Sequence, residues 1–125
     1  METINIAGTE DTPTIKFDVA AGQFLISGRS LPEDVTHFYK PVMDWLGQFS
    51  SAPKDGAKFE FKLEYFNTAS SKILLDVFMK LEEISEGSGS KFSIAWHYQN
   101  SDPDMKEAGE EYAELVSVPF EFIAY

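Results

Sequence analysis

Leu63-Glu64-Tyr65-Phe66-Asn67-Thr68-Ala69-Ser70-Ser71-Lys72 joins two different hydrophobic periods without a linker. Before it, Phe59, Phe61, Leu63 and Tyr65 alternate with Lys58, Glu60, Lys62 and Glu64, the period of two of a half-buried strand. After it, Ile73, Leu74, Val77, Phe78, Leu81 and Ile84 repeat at helical spacing. The junction therefore predicts a strand running straight into a helix that spans about Thr68 to Ser85. The first turn of such a helix carries free N–H groups and the positive end of the macrodipole, so a phosphate there is electrostatically favoured. A covalently attached phosphate on Thr68 satisfies that condition, and so does a plain helix cap at Asn67 or Thr68.

Outward from the junction the same alternation recurs. Ile4 and Ile6 predict a short first strand. Ile15, Phe17 and Val19 lead through Ala20-Ala21-Gly22 into Phe24, Leu25 and Ile26 as a hairpin. Ser30 and Glu33 stand in the spacing of a capping box, with Pro32 tolerated in a first turn, and start a helix whose apolar face is Val35, Phe38, Tyr39, Val42, Trp45, Leu46 and Phe49. Pro41 is expected to kink or split it near Lys40. Glu86-Gly87-Ser88-Gly89-Ser90 reads as a flexible connection to a strand in which Phe92, Ile94, Trp96 and Tyr98 alternate with Ser93, Ala95 and His97. Ser101-Asp102-Pro103-Asp104 starts a short helix with Met105, Ala108, Tyr112 and Leu115 on its apolar face and Gly109 inside it, and Val118 to Ala124 forms the last strand. Strands that are apolar on one side only predict a two-layer α/β sandwich, with a mixed sheet of about five to six strands and helices mostly on one face.

The 125 residues are 43% hydrophobic and 14% aromatic, enough for a proper core in one domain spanning 1–125. Ten basic against 21 acidic residues give a net charge of −11, which repels nucleic-acid backbones and anionic lipid. Without cysteine there is no thiolate nucleophile or thiolate metal site. Met1-Glu2-Thr3-Ile4-Asn5 lacks the basic and apolar regions of a signal peptide, and no apolar run is long enough for a membrane span, so the expectation is a cytoplasmic protein without membrane insertion. His37 and His97 are not in metal-ligand spacing. Asp102, Asp104, Glu107, Glu110, Glu111 and Glu114 lack the glycine and later ligands of a calcium loop, and read as a solvated helix face. Gly87-Ser88-Gly89-Ser90-Lys91 precedes a strand, the wrong context for a phosphate-binding loop.

Taken in order, Thr9-x-x-Thr12-Pro13, Gly28-Arg29-Ser30-x-Pro32-Glu33, Phe38-Tyr39-x-Pro41, Trp45-Leu46, Glu64-Tyr65-Phe66-Asn67-Thr68-x-Ser70-Ser71-Lys72, Trp96-x-Tyr98 and Asp102-x-Asp104-Met105-x-Glu107-x-Gly109-Glu110-x-Tyr112 resemble the SiaC family of bacterial regulatory phosphoproteins. The family is similar in fold and logic to the STAS-type anti-sigma-factor antagonists. The resemblance implies a partner-switching module that is not itself an enzyme and uses no cofactor or metal. Its phosphoacceptor falls on Thr68, with Tyr65, Asn67, Ser70, Ser71 and Lys72 supporting the phosphosite or meeting partners. A cognate protein kinase would modify Thr68 and a PP2C-type phosphatase would reverse it. The unmodified form would bind and activate a diguanylate cyclase effector, so controlling cyclic di-GMP, biofilm and aggregation. The alternative is a small-molecule-binding module with an aromatic pocket built from Trp45, Trp96 and Tyr98.

Overall fold

The computed structural model describes residues 1–125. Its elements are β1 (Ile4–Ile6), β2 (Thr14–Asp18), β3 (Gln23–Ser30), α1 (Val35–Phe49), β4 (Lys58–Phe66), α2 (Thr68–Ser88), β5 (Ser93–Tyr98), α3 (Pro103–Leu115) and β6 (Phe120–Ala124). The six strands lie side by side in chain order. β1, β2 and β3 are antiparallel neighbours joined by short connections, whereas β3 to β6 run parallel. Each parallel pair needs a crossover, and α1, α2 and α3 supply the three. The result is the mixed two-layer α/β sandwich that the strand patterning predicts.

All three helices cover the same sheet face. From α1, Trp45 packs edge-on to Phe17 of β2 at 4.8 Å and stacks on Phe49 at 4.9 Å. From α2, Phe78 meets Phe61 of β4 at 4.8 Å and Tyr112 of α3 at 4.9 Å. Such offset and edge-to-face pairs add to the area that the rings remove from water. On the opposite sheet face Lys16, Lys58 and Lys62 are exposed.

Trp96 of β5 ties α3 to this layer. Its indole N–H donates to the Met105 carbonyl at 2.9 Å, and its ring contacts Phe61, Phe66, Phe78, Tyr112 and Phe120. Gly109 is buried directly against the Trp96 ring, where any Cβ would overlap Cδ1 and Nε1. The glycine inside α3 therefore sets how closely helix and sheet approach.

Four expectations are corrected by tertiary context. Ser30 is not a helix cap: β3 continues through it, paired with Phe66, and the cap of α1 is Asp34, which accepts from the His37 N–H at 3.1 Å. The box spacing is purely local and cannot register that parallel pairing extends the strand. Pro41 does not split α1, which runs unbroken from Val35 to Phe49 because Tyr39, Val42, Trp45, Leu46 and Phe49 are held in the core. α2 extends to Ser88 and ends at Gly89 with φ +77°, so part of the expected flexible connection is helical. Leu115, expected on the apolar face of α3, is 63% exposed.

The strand alternation is also interrupted once. The β3–β4 register shifts between Gly28 and Arg29, so that Gly28 pairs with Leu63 but Arg29 pairs with Tyr65, leaving Glu64 extra. Gly28 accommodates the bulge at φ +104°. The shift sends Tyr65 out to 46% exposure, under the Arg29 guanidinium, and turns Phe66 in towards Trp96 and Tyr112.

Two helical glycines should respond oppositely to alanine. Nothing lies within 4 Å of a Cβ at Gly47 in α1, so Gly47→Ala should stabilise by about 0.5–1 kcal/mol. Gly109→Ala overpacks against the buried Trp96 ring at a cost of about 1–3 kcal/mol, which outweighs a propensity gain of about 1 kcal/mol or less. Urea unfolding of both variants should place them on opposite sides of the parent.

Candidate functional site

Phe66 ends β4 and Thr68 begins α2, so a single residue, Asn67, makes the turn. The Asn67 side chain accepts from the Ser70 N–H at 2.8 Å and its carbonyl accepts from the Ser71 N–H at 2.9 Å. Asn67 is therefore the cap and Thr68 the first helical residue. The α1 and α3 caps, Asp34 and Asp102, carry charge, whereas Asn67 is neutral and the first turn of α2 holds no acidic residue. The positive end of α2 is left without a compensating carboxylate of its own.

Below the surface, the helix start is anchored to β3 and α1 by a chain of hydroxyls. Ser70 Oγ donates to the Ser30 carbonyl at 2.9 Å. Each hydroxyl has one proton, so Ser30 Oγ donates to Ser70 Oγ at 2.8 Å and Tyr39 donates to Ser30 Oγ at 2.6 Å. The Ser30 carbonyl also accepts from the Asn67 N–H at 3.1 Å. Ser30, Ser70 and Tyr39 have no exposed surface. Burial pushes the Tyr39 phenol up to about 12, against a smaller opposing effect of its bond to Ser30, so it stays a neutral donor. From α3, the Tyr112 hydroxyl donates to the Ser71 carbonyl at 2.7 Å, and that phenol too is pushed well above its ordinary value, first by burial, then by the phenolate that Tyr39 would form at high pH and by the Glu111 carboxylate.

These contacts sort the hydroxyls of the junction. Thr68 is exposed; Ser70 is fully buried with its proton committed; Ser71 is half-buried and donates to the Thr68 carbonyl at 2.6 Å. Lys72 is exposed one turn beyond Thr68 and takes part in none of the four ion pairs. The bulge puts Tyr65 on the open sheet face and Phe66 on the helix side, so Asn67, Thr68, Ser71 and Lys72 form one surface and Tyr65 borders it from the open sheet face. An open hollow of about 270 Å³ runs from Ser71 and Lys72 between α2 and α3, lined also by Phe66, Leu75, Ala108, Glu111, Tyr112 and Leu115. Ser30, Tyr39 and Tyr112 escape sequence reasoning because Ser30 and Tyr112 meet the junction across 40 and 41 residues of chain and Tyr39 reaches it only through Ser30. A serine at the buried end of a strand is the one local sign of them.

The aromatic, histidine and acidic residues outside the junction lie elsewhere. Trp96 and Trp45 are 1% and 3% exposed and fill the core, with the Trp45 N–H donating to the Glu2 carbonyl at 2.9 Å. His97 meets Glu60 on the open sheet face at 3.2 Å, and His37 is exposed on α1. Asp102 caps α3 through the Met105 N–H at 3.1 Å, and Asp104, Glu107, Glu110, Glu111 and Glu114 are exposed along that helix.

Asn67→Ala should cost about 0.5–2 kcal/mol as the loss of a cap, whereas Thr68→Ala should stay within about 0.5 kcal/mol of the parent in denaturant unfolding. Ser30→Ala strands the buried Tyr39 donor and should cost about 1–3 kcal/mol, while Tyr39→Phe removes that donor with its bond and should cost only about 0.5–1.5 kcal/mol. The same unfolding curves rank the pair, and the reverse order would contradict this arrangement of protons.

The chain is 34% identical, over 125 residues, to a protein of Pseudomonas aeruginosa (strain UCBPP-PA14); the match covers 100% of this chain and 98% of that one. Its fold superposes on the crystal structure of apo-SiaC from Pseudomonas aeruginosa with a TM-score of 0.88 at 34% identity, covering 99% of this chain and 100% of the other. It also matches a structure of the diguanylate cyclase SiaD in complex with its activator SiaC, from the same organism, with a TM-score of 0.90 at 34% identity, covering 98% and 99% of the two chains. The family model described as SiaC family regulatory phosphoprotein matches residues 6–125. With both fold and sequence in agreement over nearly its whole length, the chain belongs to the SiaC family of regulatory phosphoproteins.

Proposed function

We propose that this protein is a single-domain, non-enzymatic cytoplasmic adaptor switched by reversible phosphorylation of Thr68. The unmodified form binds and activates a diguanylate cyclase and so controls cyclic di-GMP, biofilm and aggregation; a cognate kinase and a PP2C-type phosphatase set the phosphorylation state. The observation that carries this reading is the sorting of hydroxyls at the start of α2. Thr68 stands exposed over a helix N-terminus with a neutral cap, while Ser70 beside it is sealed into the core. The similarity to an activator seen in complex with a diguanylate cyclase supports the choice of partner.

The physics of the switch is local. Phosphorylation adds roughly −1.5 to −2 charge where the α2 dipole and Lys72 favour it, so the fold is retained. The same charge faces any partner surface built for a neutral hydroxyl, and desolvating it there costs affinity. Asn67, Ser71 and Lys72 support the phosphosite from above and Ser70 from below, and Tyr65 borders the partner surface. The aromatic-pocket alternative loses its main residues, because Trp45 and Trp96 pack in the core.

Calorimetric titration of a purified diguanylate cyclase from the same organism tests the reading. Unmodified protein and Thr68→Ala should bind and activate it, with or without kinase and ATP. Phosphorylated protein should bind at least about 100-fold more weakly, equivalent to ~2.8 kcal/mol, and Thr68→Glu should fall between. Equal affinities for all four forms would exclude Thr68 as the switch.

A further inference from the structure

We propose that the cleft between α2 and α3 is where the effector docks, that it takes an apolar side chain flanked by a carboxylate, and that Lys72 is the cation for which this carboxylate and a phosphate on Thr68 compete. The inference rests on the adaptor reading above and names its recognition chemistry.

The cleft opens directly beside the phosphosite. Ser71 and Lys72 form its near end, and Phe66, Leu75, Ala108, Tyr112 and Leu115 its apolar part. Leu115 is 63% exposed at the end of a helix whose other exposed side chains are mostly acidic, and Leu75 is half-buried across from it. Leu115 is the one exposed apolar side chain of the cleft, and with half-buried Leu75 and Phe66 it gives an incoming apolar side chain a surface to cover. Phe66 reaches this cleft only because of the β4 bulge, and Tyr112 is fixed there by its bond to the Ser71 carbonyl, so the walls are preformed.

Charge selects the occupant. The chain carries −11, and Asp104, Glu107, Glu110, Glu111 and Glu114 are exposed on α3, yet Lys72 has no carboxylate partner. It is an unpaired cation at the near end of the cleft, with Glu111 among the α3 residues that line the other wall. An incoming segment that places a carboxylate at Lys72, an apolar side chain between Leu75 and Leu115, and a cation at Glu111 complements every feature of the cleft.

Thr68 and Lys72 are four residues apart on one helix, which brings their Cβ atoms to roughly 5–6 Å. A phosphothreonine at position 68 therefore reaches the Lys72 ammonium within the same molecule, and an intramolecular anion outcompetes a partner carboxylate present at ordinary protein concentrations. Phosphorylation then acts twice: it withdraws the cation that receives the partner and leaves a net negative charge in its place.

A thermodynamic cycle on the intact protein separates this from a purely steric switch. Unmodified and Thr68-phosphorylated wild type, Lys72→Gln and Lys72→Arg are titrated with the cyclase. Lys72→Gln should bind about tenfold more weakly than wild type, Lys72→Arg should restore most of the loss, and the effect of phosphorylation should be about tenfold smaller in Lys72→Gln. Wild-type affinity in Lys72→Gln, or an undiminished phosphorylation effect, would overturn the role of Lys72 while leaving Thr68 as the switch. If phosphorylated wild type binds as tightly as unmodified protein, the adaptor reading itself fails. Should Lys72→Gln bind too weakly to measure, phosphorus NMR on the free phosphoprotein decides whether the pair forms. The second phosphate ionisation should lie at lower pH in wild type than in Lys72→Gln, and coincident midpoints would refute the pairing. Leu115→Asp should weaken cyclase binding without changing the sedimentation mass of the protein alone. A change in that mass would assign the cleft to a second copy of the chain and overturn the proposal.

Discussion

The carbonyl oxygen of Ser30 holds the start of α2 in place. It accepts from the Asn67 N–H and from Ser70 Oγ, so the end of one parallel strand receives both the turn and the first turn of the helix that follows its neighbour. Tyr39 closes the arrangement from α1 through Ser30 Oγ. Unpairing any of these buried groups would cost more than the bond itself contributes, which makes the junction stiff in a way that a surface cap alone would not. An exposed hydroxyl on so rigid a base can change charge without dragging the core with it.

The second constraint is the close approach of α3 to the sheet. With hydrogen in place of a side chain at Gly109, the Trp96 ring and α3 come into direct contact, and the indole N–H finds the Met105 carbonyl. That approach sets Tyr112 against Phe78 and over the Ser71 carbonyl. The cleft beside Thr68 is thus a consequence of core packing around Trp96, with no flexible element needed to form it. The acidic side chains of α3 face solvent, whereas the open sheet face carries both signs, with Lys58 paired to Glu121.

Together these features describe a surface suited to recognition. The proposed switch needs a hydroxyl that an enzyme can reach, a dipole that tolerates its phosphate and a neighbouring surface whose contacts that phosphate can spoil. Thr68, the neutral Asn67 cap and the α2–α3 cleft supply them within two helical turns. Since the helix dipole favours the added charge, the modification can report on a partner surface while leaving the fold intact.

Contiguous residues carry periodicity, and periodicity alone was sufficient for the order of elements, the one-sided sheet, the helix layer and the location of a helix start at Asn67-Thr68. Composition alone excluded thiol chemistry and made anionic polymers poor partners. What had to await the tertiary structure were the relations between distant residues. Ser30 reads locally as a cap, but its pairing with Phe66 and its bonds to Tyr39 and Ser70 make it the anchor of α2. Tyr65 reads as a core residue, but one extra residue opposite Gly28 exchanges it with Phe66, since a shift of one reverses every later side chain on a strand of period two. Gly109 reads as a weak point in a helix until Trp96 is placed against it. Of the hydroxyls at Thr68, Ser70 and Ser71, the sequence offers all three; burial leaves Thr68 as the exposed one, because solvent access is a property of the packed layers and not of the chain.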